Sequence, residues 1–198
     1  MGNFTPITLA TALCLTATSV FADGHAKSWV LDPALSNVSF GSIKNDYVGE
    51  SHSFGDISGS VTGNGQVEIS LGLGSVSTNI DIRNKRMIEH VFKKAPNATI
   101  TAEIDMSELE TLGVGEAKTI EAYGTLALLG TDNDLDANFF VMRTAEDQVM
   151  VASDGMLMLS TEDAGLDAGI DILQELAGLD SITRVSPVSL RLFFTTGG

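Results

Sequence analysis

From Trp29 onward, apolar and polar side chains alternate with a period of two, the signature of half-buried strands, and glycines punctuate the runs. Within Ser36–Phe40, Val38 and Phe40 share one face while Asn37 and Ser39 take the other. Gly63-Asn64-Gly65 reads as a hairpin turn joining Ile57–Thr62 to Gln66–Gly74, whose Val67, Ile69, Leu71 and Leu73 point one way. Thr99–Asp105 sets Ile100, Ala102 and Ile104 against Thr101 and Glu103, and Ile120, Ala122, Gly124, Leu126 and Leu128 form a further apolar row. Strands are expected again at Ala137–Arg143, Gln148–Ser153 and Met156–Ser160, and the chain closes with Val188, Leu190, Leu192 and Phe194 on one face.

Two segments change the period. Asp81–Phe92 spaces Ile82, Met87 and Val91 as a short helix does, and Ala168–Ala177 repeats the pattern ahead of Gly178, a natural C-cap. No internal repeat and no Pro- or Ser-rich linker divides the chain. About eight strands with two short helices predict an all-β fold, an antiparallel barrel closed so that no strand edge stays unpaired. A barrel of that size is either filled by its own side chains or holds one small ligand. By alternation, Val38, Phe40, Leu71, Leu73, Ile100, Ile104, Leu126, Leu128, Leu190 and Leu192 face inward, and Met156 and Met158 add adaptable apolar surface to the same lining. The helix expected over Asp167–Gly178 is too short to stand alone in water, so its stripe (Ile170, Leu173, Leu176) is expected to plug an open barrel end. Gly165, Gly169 and Gly178 would let it lift as a lid.

Composition narrows the chemistry. Twenty-six acidic residues against 11 basic ones give a net charge of −15 over 198 residues, which disfavours nucleic acid as a partner. A single cysteine, Cys14, excludes a disulfide framework and a cysteine-based zinc site. His25, His52 and His90 lie far apart without ligand spacing, and they read as solvated or core-edge side chains. Asp132-Asn133-Asp134-Leu135-Asp136 begins like a calcium loop, but Ala137 and Arg143 occupy its two decisive positions; a hydrated hairpin turn is expected instead. No serine sits in a nucleophile elbow, so neither catalysis nor a metal nor a cofactor is expected.

Residues 1–22 carry no charge, hold the apolar stretch Ile7–Leu15, and end in Ser19-Val20-Phe21-Ala22. This predicts a signal peptide over residues 1–22, a single domain over residues 23–198, and export to the periplasm. Cleavage there removes Cys14, which suits an oxidising compartment. One further asymmetry stands out: Arg83, Lys85, Arg86, Lys93 and Lys94 place five of the 11 basic residues close together. Such a cluster attracts a phosphate-bearing head group, an anionic membrane surface or an acidic partner; a solvated helix face offset by Asp81 and Glu89 accounts for it equally.

The stretch Ser75-Val76-Ser77-Thr78, followed by Arg83-Asn84 and Met87, then Phe92 and Pro96, resembles the signature of the YceI-like family. Trp29-Val30-Leu31-Asp32-Pro33 with Ser36, Val38 and Phe40 resembles the family's opening, and Glu175-Leu176-Ala177-Gly178-Leu179 with Ser181, Ile182, Pro187 and Val188 one branch of its close. The acidic run Thr131–Asp136 departs from the family's usual loop at that place. The resemblance implies a lipocalin-like barrel, exported and non-catalytic, holding an isoprenoid lipid of quinone or polyprenyl phosphate type, or a similar long amphiphile. The ten inward residues, Met156 and Met158 would then line the pocket, with Arg83, Asn84 and Arg86 at the head group or rim. A ligand-free protective or protein-interaction module on the same barrel is the alternative, and the oligomeric state is left open, a dimer included.

Overall fold

The computed structural model describes Met1 and residues 27–197. The expected signal peptide therefore lies, apart from Met1, outside the described residues. The strands are β1 (Trp29–Leu31), β2 (Asn37–Lys44), β3 (Val48–Phe54), β4 (Ile57–Val61), β5 (Gln66–Gly72), β6 (Val76–Ser77), β7 (Asn97–Glu103), β8 (Ala117–Leu128), β9 (Thr131–Ala145), β10 (Gln148–Ser153), β11 (Leu157–Ser160) and β12 (Val185–Thr196). Helix α1 (Asp81–Arg86) runs into a π-helical turn (Met87–Val91), and α2 (Ser107–Glu110) and α3 (Asp167–Ala177) follow. Among the described residues no helix is long and apolar enough to cross a membrane.

Neighbouring strands pair antiparallel in the order β1-β4-β5-β7-β8-β9-β10-β12, and β12 returns to β1 through Trp29↔Thr196, Val30↔Thr195 and Leu31↔Phe194. The ring is a closed eight-stranded barrel. Segments β2, β3, β6 and β11 prolong its wall at one end: β2 and β11 continue along β12, β3 pairs with β2, and β6 pairs with β3. The β1–β2 break is a local turn in which Ser36 N–H and Oγ both donate to the Asp32 carbonyl, at 3.1 and 2.7 Å. Helices α1 and α3 both lie at the prolonged end, because one joins β6 to β7 and the other joins β11 to β12.

The opposite end is packed shut. Trp29, Leu192, Phe194 and Val141 are buried there, and the Arg143 guanidinium sits 5.9 Å from the Trp29 ring while donating to the Leu112 carbonyl at 3.0 Å.

Three sequence expectations need correction. The run Asp132–Asp136 is the start of β9 and not a turn: Leu129 and Gly130, with φ of 54° and 84°, already reverse the chain, and Asp132, Asp134 and Asp136 take the exposed face. Strand β11 begins at Leu157, not Met156, because the chain is still turning at Gly155 (φ 110°). In α3 the buried side is Leu166, Gly169 and Ile170 with Leu173 half-buried, whereas Leu176 is 46% exposed.

The third correction has a steric cause. A Cβ at Gly169 would lie 2.4 Å from the His90 carbonyl oxygen and 2.5 Å from Val91 Cα, so the helix seats its glycine directly on the π-helical turn. That contact fixes the helix's rotation and turns Leu176 outward. Gly169 is a point of close approach, not a hinge; Gly178 (φ 62°) ends the helix in the left-handed conformation, its N–H bonding the Glu175 carbonyl at 3.1 Å. Gly169→Ala is expected to destabilise the protein by about 1–3 kcal/mol through overpacking. Thermal denaturation measures it, and an unchanged melting temperature would contradict the seating described.

Candidate functional site

Between the packed end and the helices the barrel encloses a cavity of ≈ 520 Å³, within the range of roughly 300–1,000 Å³ typical of small-molecule sites. Its body is lined by Val38, Phe40, Leu71, Leu73, Ile100, Leu126, Leu128 and Leu190, each brought inward by the alternation of its strand or, for Leu73, by the single helical turn after β5. Ile170 and Leu173 of α3, with Met87, Val91 and Phe92 after α1, roof it.

Four residues expected in the lining stand elsewhere or at its edge. Ile104 and Leu192 do face inward, but at the height of the packed end, where Leu192 is 2% exposed and pairs across to Val151. Met156 lies in the turn before β11 and is 73% exposed. Met158 touches the cavity's edge from the outer face of β11, 64% exposed.

One wall carries a gradient of polarity. The β2–β3 register pairs Val38 with Phe54, then Phe40 with His52, then Ser42 with Glu50, and Lys44 closes the series near the tip. These side chains all border the cavity, so it passes from aliphatic, through a stack of rings, to charged groups. Phe40 and Phe54 lie 5.3 Å apart between centroids, Phe40 and His52 5.0 Å, and Phe54 and Phe92 5.9 Å. Aromatic pairs at such spacings contribute about 0.5–1.5 kcal/mol beyond the area they bury.

At the charged end, Glu50 accepts from Arg83 Nη1 at 2.6 Å and from Lys44 Nζ at 3.2 Å, and Arg83 Nη2 donates to the Thr78 carbonyl at 2.6 Å. Burial alone would raise the Glu50 carboxyl, but the hydrogen bonds and charges of Arg83 and Lys44 together outweigh it and hold the group below its ordinary value. His52 is 5% exposed, with Nε2 3.0 Å from Ser42 Oγ. Burial, together with the charges of Arg83 and Lys44, pushes its imidazolium down against the opposing pull of Glu50 and the Ser51 carbonyl, so the ring is neutral at neutral pH.

The three residues expected at the rim divide. Arg83 and Arg86 border the cavity, Arg86 also donating to the Leu176 carbonyl at 3.3 Å. Asn84 does not: its Oδ1 accepts from Thr78 N–H at 2.8 Å and Thr78 Oγ1 at 2.6 Å, bracing the loop before α1. Lys85, Lys93 and Lys94 are exposed. Lys44, Glu50, His52 and Phe54 escaped the sequence reading, because a strand whose inward face is partly charged does not look amphipathic. The available signal was the period-two spacing of Glu50, His52 and Phe54 itself. His52 is buried at the cavity, contrary to the solvated or core-edge position expected. Among the described residues no group of three or more His, Cys, Asp or Glu side chains is placed to hold a metal ion.

Comparison with known proteins gives three results. A polyisoprenoid-binding domain from Saccharophagus degradans, implicated in plant cell wall breakdown, superposes with a TM-score of 0.84 at 33% identity, over 86% of this chain and 99% of that one. BcnA of Burkholderia cenocepacia shares the fold at 13% identity and a TM-score of 0.60, over 82% of this chain and 98% of its own. No curated protein matches the sequence significantly. The model of the YceI-like domain matches residues 29–186, the span that holds seven of the eight barrel strands and every residue of the β2–β3 wall, and the chain belongs to that family.

Proposed function

We propose that this protein is a non-catalytic binding protein that carries an isoprenoid lipid, or a similar long amphiphile, inside its barrel. The observation that carries the reading is the cavity graded from a leucine-lined body to a charged end. Such a shape suits a molecule with an apolar tail and a polar tip. Each methylene withdrawn from water contributes about 0.8 kcal/mol, so a tail in the aliphatic body binds well with few directional contacts. The S. degradans domain, a third identical in sequence and known as polyisoprenoid-binding, supports the same ligand class. Quinone-type and polyprenyl phosphate-type head groups both meet the general requirement. The apolar stretch Ile7–Leu15 and the Ser19–Ala22 ending support export, with the periplasm as the place of action.

Access is best placed between α1 and the C-terminal half of α3, where Ile80, Ile82, Arg86, Ala177 and Leu179 border the cavity. The N-terminal half of α3 is tied down: Thr161 Oγ1 donates to Asp167, Arg184 pairs with Asp171, and Gly169 rests on the π-helical turn. The other half has a single tie to α1, the Arg86 bond to Leu176. An attraction of this face to an anionic membrane gains little from charge, since exposed Lys94 pairs with Glu89 at 3.9 Å and Asp81 lies in the same segment.

Two outcomes are expected. Native mass spectrometry of the mildly purified protein should show a bound species of lipid mass, and Leu126→Trp, which fills the aliphatic body, should abolish it while the protein stays folded. Ligand-free protein that also ignores added isoprenoid would overturn the carrier reading. Hydrogen exchange should find residues 174–179 opening faster than 166–170 and slowing when lipid is present. Uniform protection along α3 with and without lipid would leave a fixed plug and no gate.

A further inference from the structure

The cavity's polar end contains an unfinished hydrogen-bond pair. His52 borders the cavity while 5% exposed, and its Nδ1 is buried with no partner meeting hydrogen-bond geometry, whereas Nε2 is engaged with Ser42 Oγ at 3.0 Å. Leaving a buried polar nitrogen unpaired is costly, and native structures seldom do so without a purpose. We propose that His52 and Ser42 form a head-group site that receives an uncharged oxygen, a hydroxyl or a carbonyl, rather than a phosphate. The proposal rests on the reading of the barrel as an isoprenoid carrier and narrows its ligand class.

Either arrangement of the pair leads to the same demand. If the Ser42 hydroxyl donates to Nε2, the ring proton sits on Nδ1, where the Ser51 carbonyl is near but outside hydrogen-bond geometry, and the N–H is left open. If Nε2–H donates to Ser42, the serine hydroxyl proton is left open and Nδ1 becomes a bare acceptor. A donor is therefore free in both cases, and the ligand must offer an acceptor. A hydroxyl or carbonyl oxygen on the ligand accepts from that donor in either arrangement. Arg83 Nε is a further buried donor without a partner at this end of the cavity, and it too calls for an acceptor.

Charge argues against a phosphate. Beside Ser42 the cations are already engaged: Lys44 and Arg83 share Glu50, and the second Nη of Arg83 is held by the Thr78 carbonyl, while Arg86, which has no carboxylate partner among the described residues, is turned to the Leu176 carbonyl of the roof. Glu50 stands directly across from Ser42 in the strand register, so an anion seated on Ser42 would face a carboxylate. The neutral state of His52 adds no compensating charge. An uncharged oxygen meets the open donor of the His52–Ser42 pair without this repulsion.

Displacement of an apolar fluorescent dye by three molecules of one skeleton (phytol, phytyl phosphate and phytane) tests the assignment on the intact protein. Phytol is expected to displace the dye at roughly tenfold lower concentration than either phytane or phytyl phosphate, the scale of one satisfied buried hydrogen bond. His52→Phe and, independently, Ser42→Ala should erase the advantage of phytol over phytane; the serine variant alone decides the matter if the histidine variant does not fold. Phytyl phosphate binding as tightly as phytol, or a phytol advantage that survives both substitutions, overturns the head-group site while the carrier reading stands. Failure of all three molecules to displace the dye overturns the carrier reading and this inference with it.

Discussion

Everything in the molecule depends on one strand meeting its partners on both sides. β12 pairs with β10 and β11 along one edge and with β1 and β2 along the other, so twelve residues at the end of the chain close the sheet on segments near its beginning. Closure satisfies backbone donors and acceptors that an open edge would leave exposed to pairing with other chains. It also fixes the bore: an eight-stranded ring has an interior wide enough for side chains or for one small ligand, and no wider. The inward residues of β12 show how the interior is divided. Leu192 and Phe194 are packed tight at the closed end, and Leu190 and Val188 face the cavity.

The two ends differ because different things fill them. At the closed end the filling is aromatic and aliphatic, with Arg143 laid against Trp29 and bonded to the Leu112 carbonyl. At the other end the wall is prolonged by β2, β3, β6 and β11 beyond what the chain's own side chains fill, and two helical segments cover the space. The roof is held by contacts of unequal strength. Gly169 on the π-helical turn is close and specific, since a single Cβ there meets backbone atoms that cannot yield cheaply. The Glu50 salt bridges to Arg83 and Lys44 brace the facing side, and a carboxylate held between two cations loses much if one is removed.

The barrel was legible in the sequence because its inward face is apolar along most strands, and alternation then assigns each side chain to inside or outside. Alternation gives the face but not the height. Ile104 and Leu192 were placed inside correctly and assigned to the cavity wrongly, because nothing in a single strand tells which end of the barrel will be filled. β3 was missed for the opposite reason: its inward residues Glu50, His52 and Phe54 include two polar groups, and a polar inward face erases the pattern used to find strands. Asn84 was legible as part of a motif but not in its role, since only the fold brings its side chain to Thr78. The acidic run at the start of β9 looked like a turn because three aspartates suit one; in the barrel they line the hydrated face of a strand whose other face holds Asn133 and Leu135.

Where polarity lies along the bore decides how an amphiphile would sit. The tail belongs among Leu71, Leu128 and Leu190, and the polar tip at the level of Phe40 and His52. Isotope-filtered nuclear Overhauser measurements on the phytol-loaded protein read this directly. Contacts are expected from the phytyl methyl groups to the methyls of Leu71, Leu128 and Leu190, and from the carbinol protons to the rings of Phe40 and His52. Contacts confined to the exposed Ile80, Ile82 and Leu176, or a reversed order along the bore, would contradict that orientation.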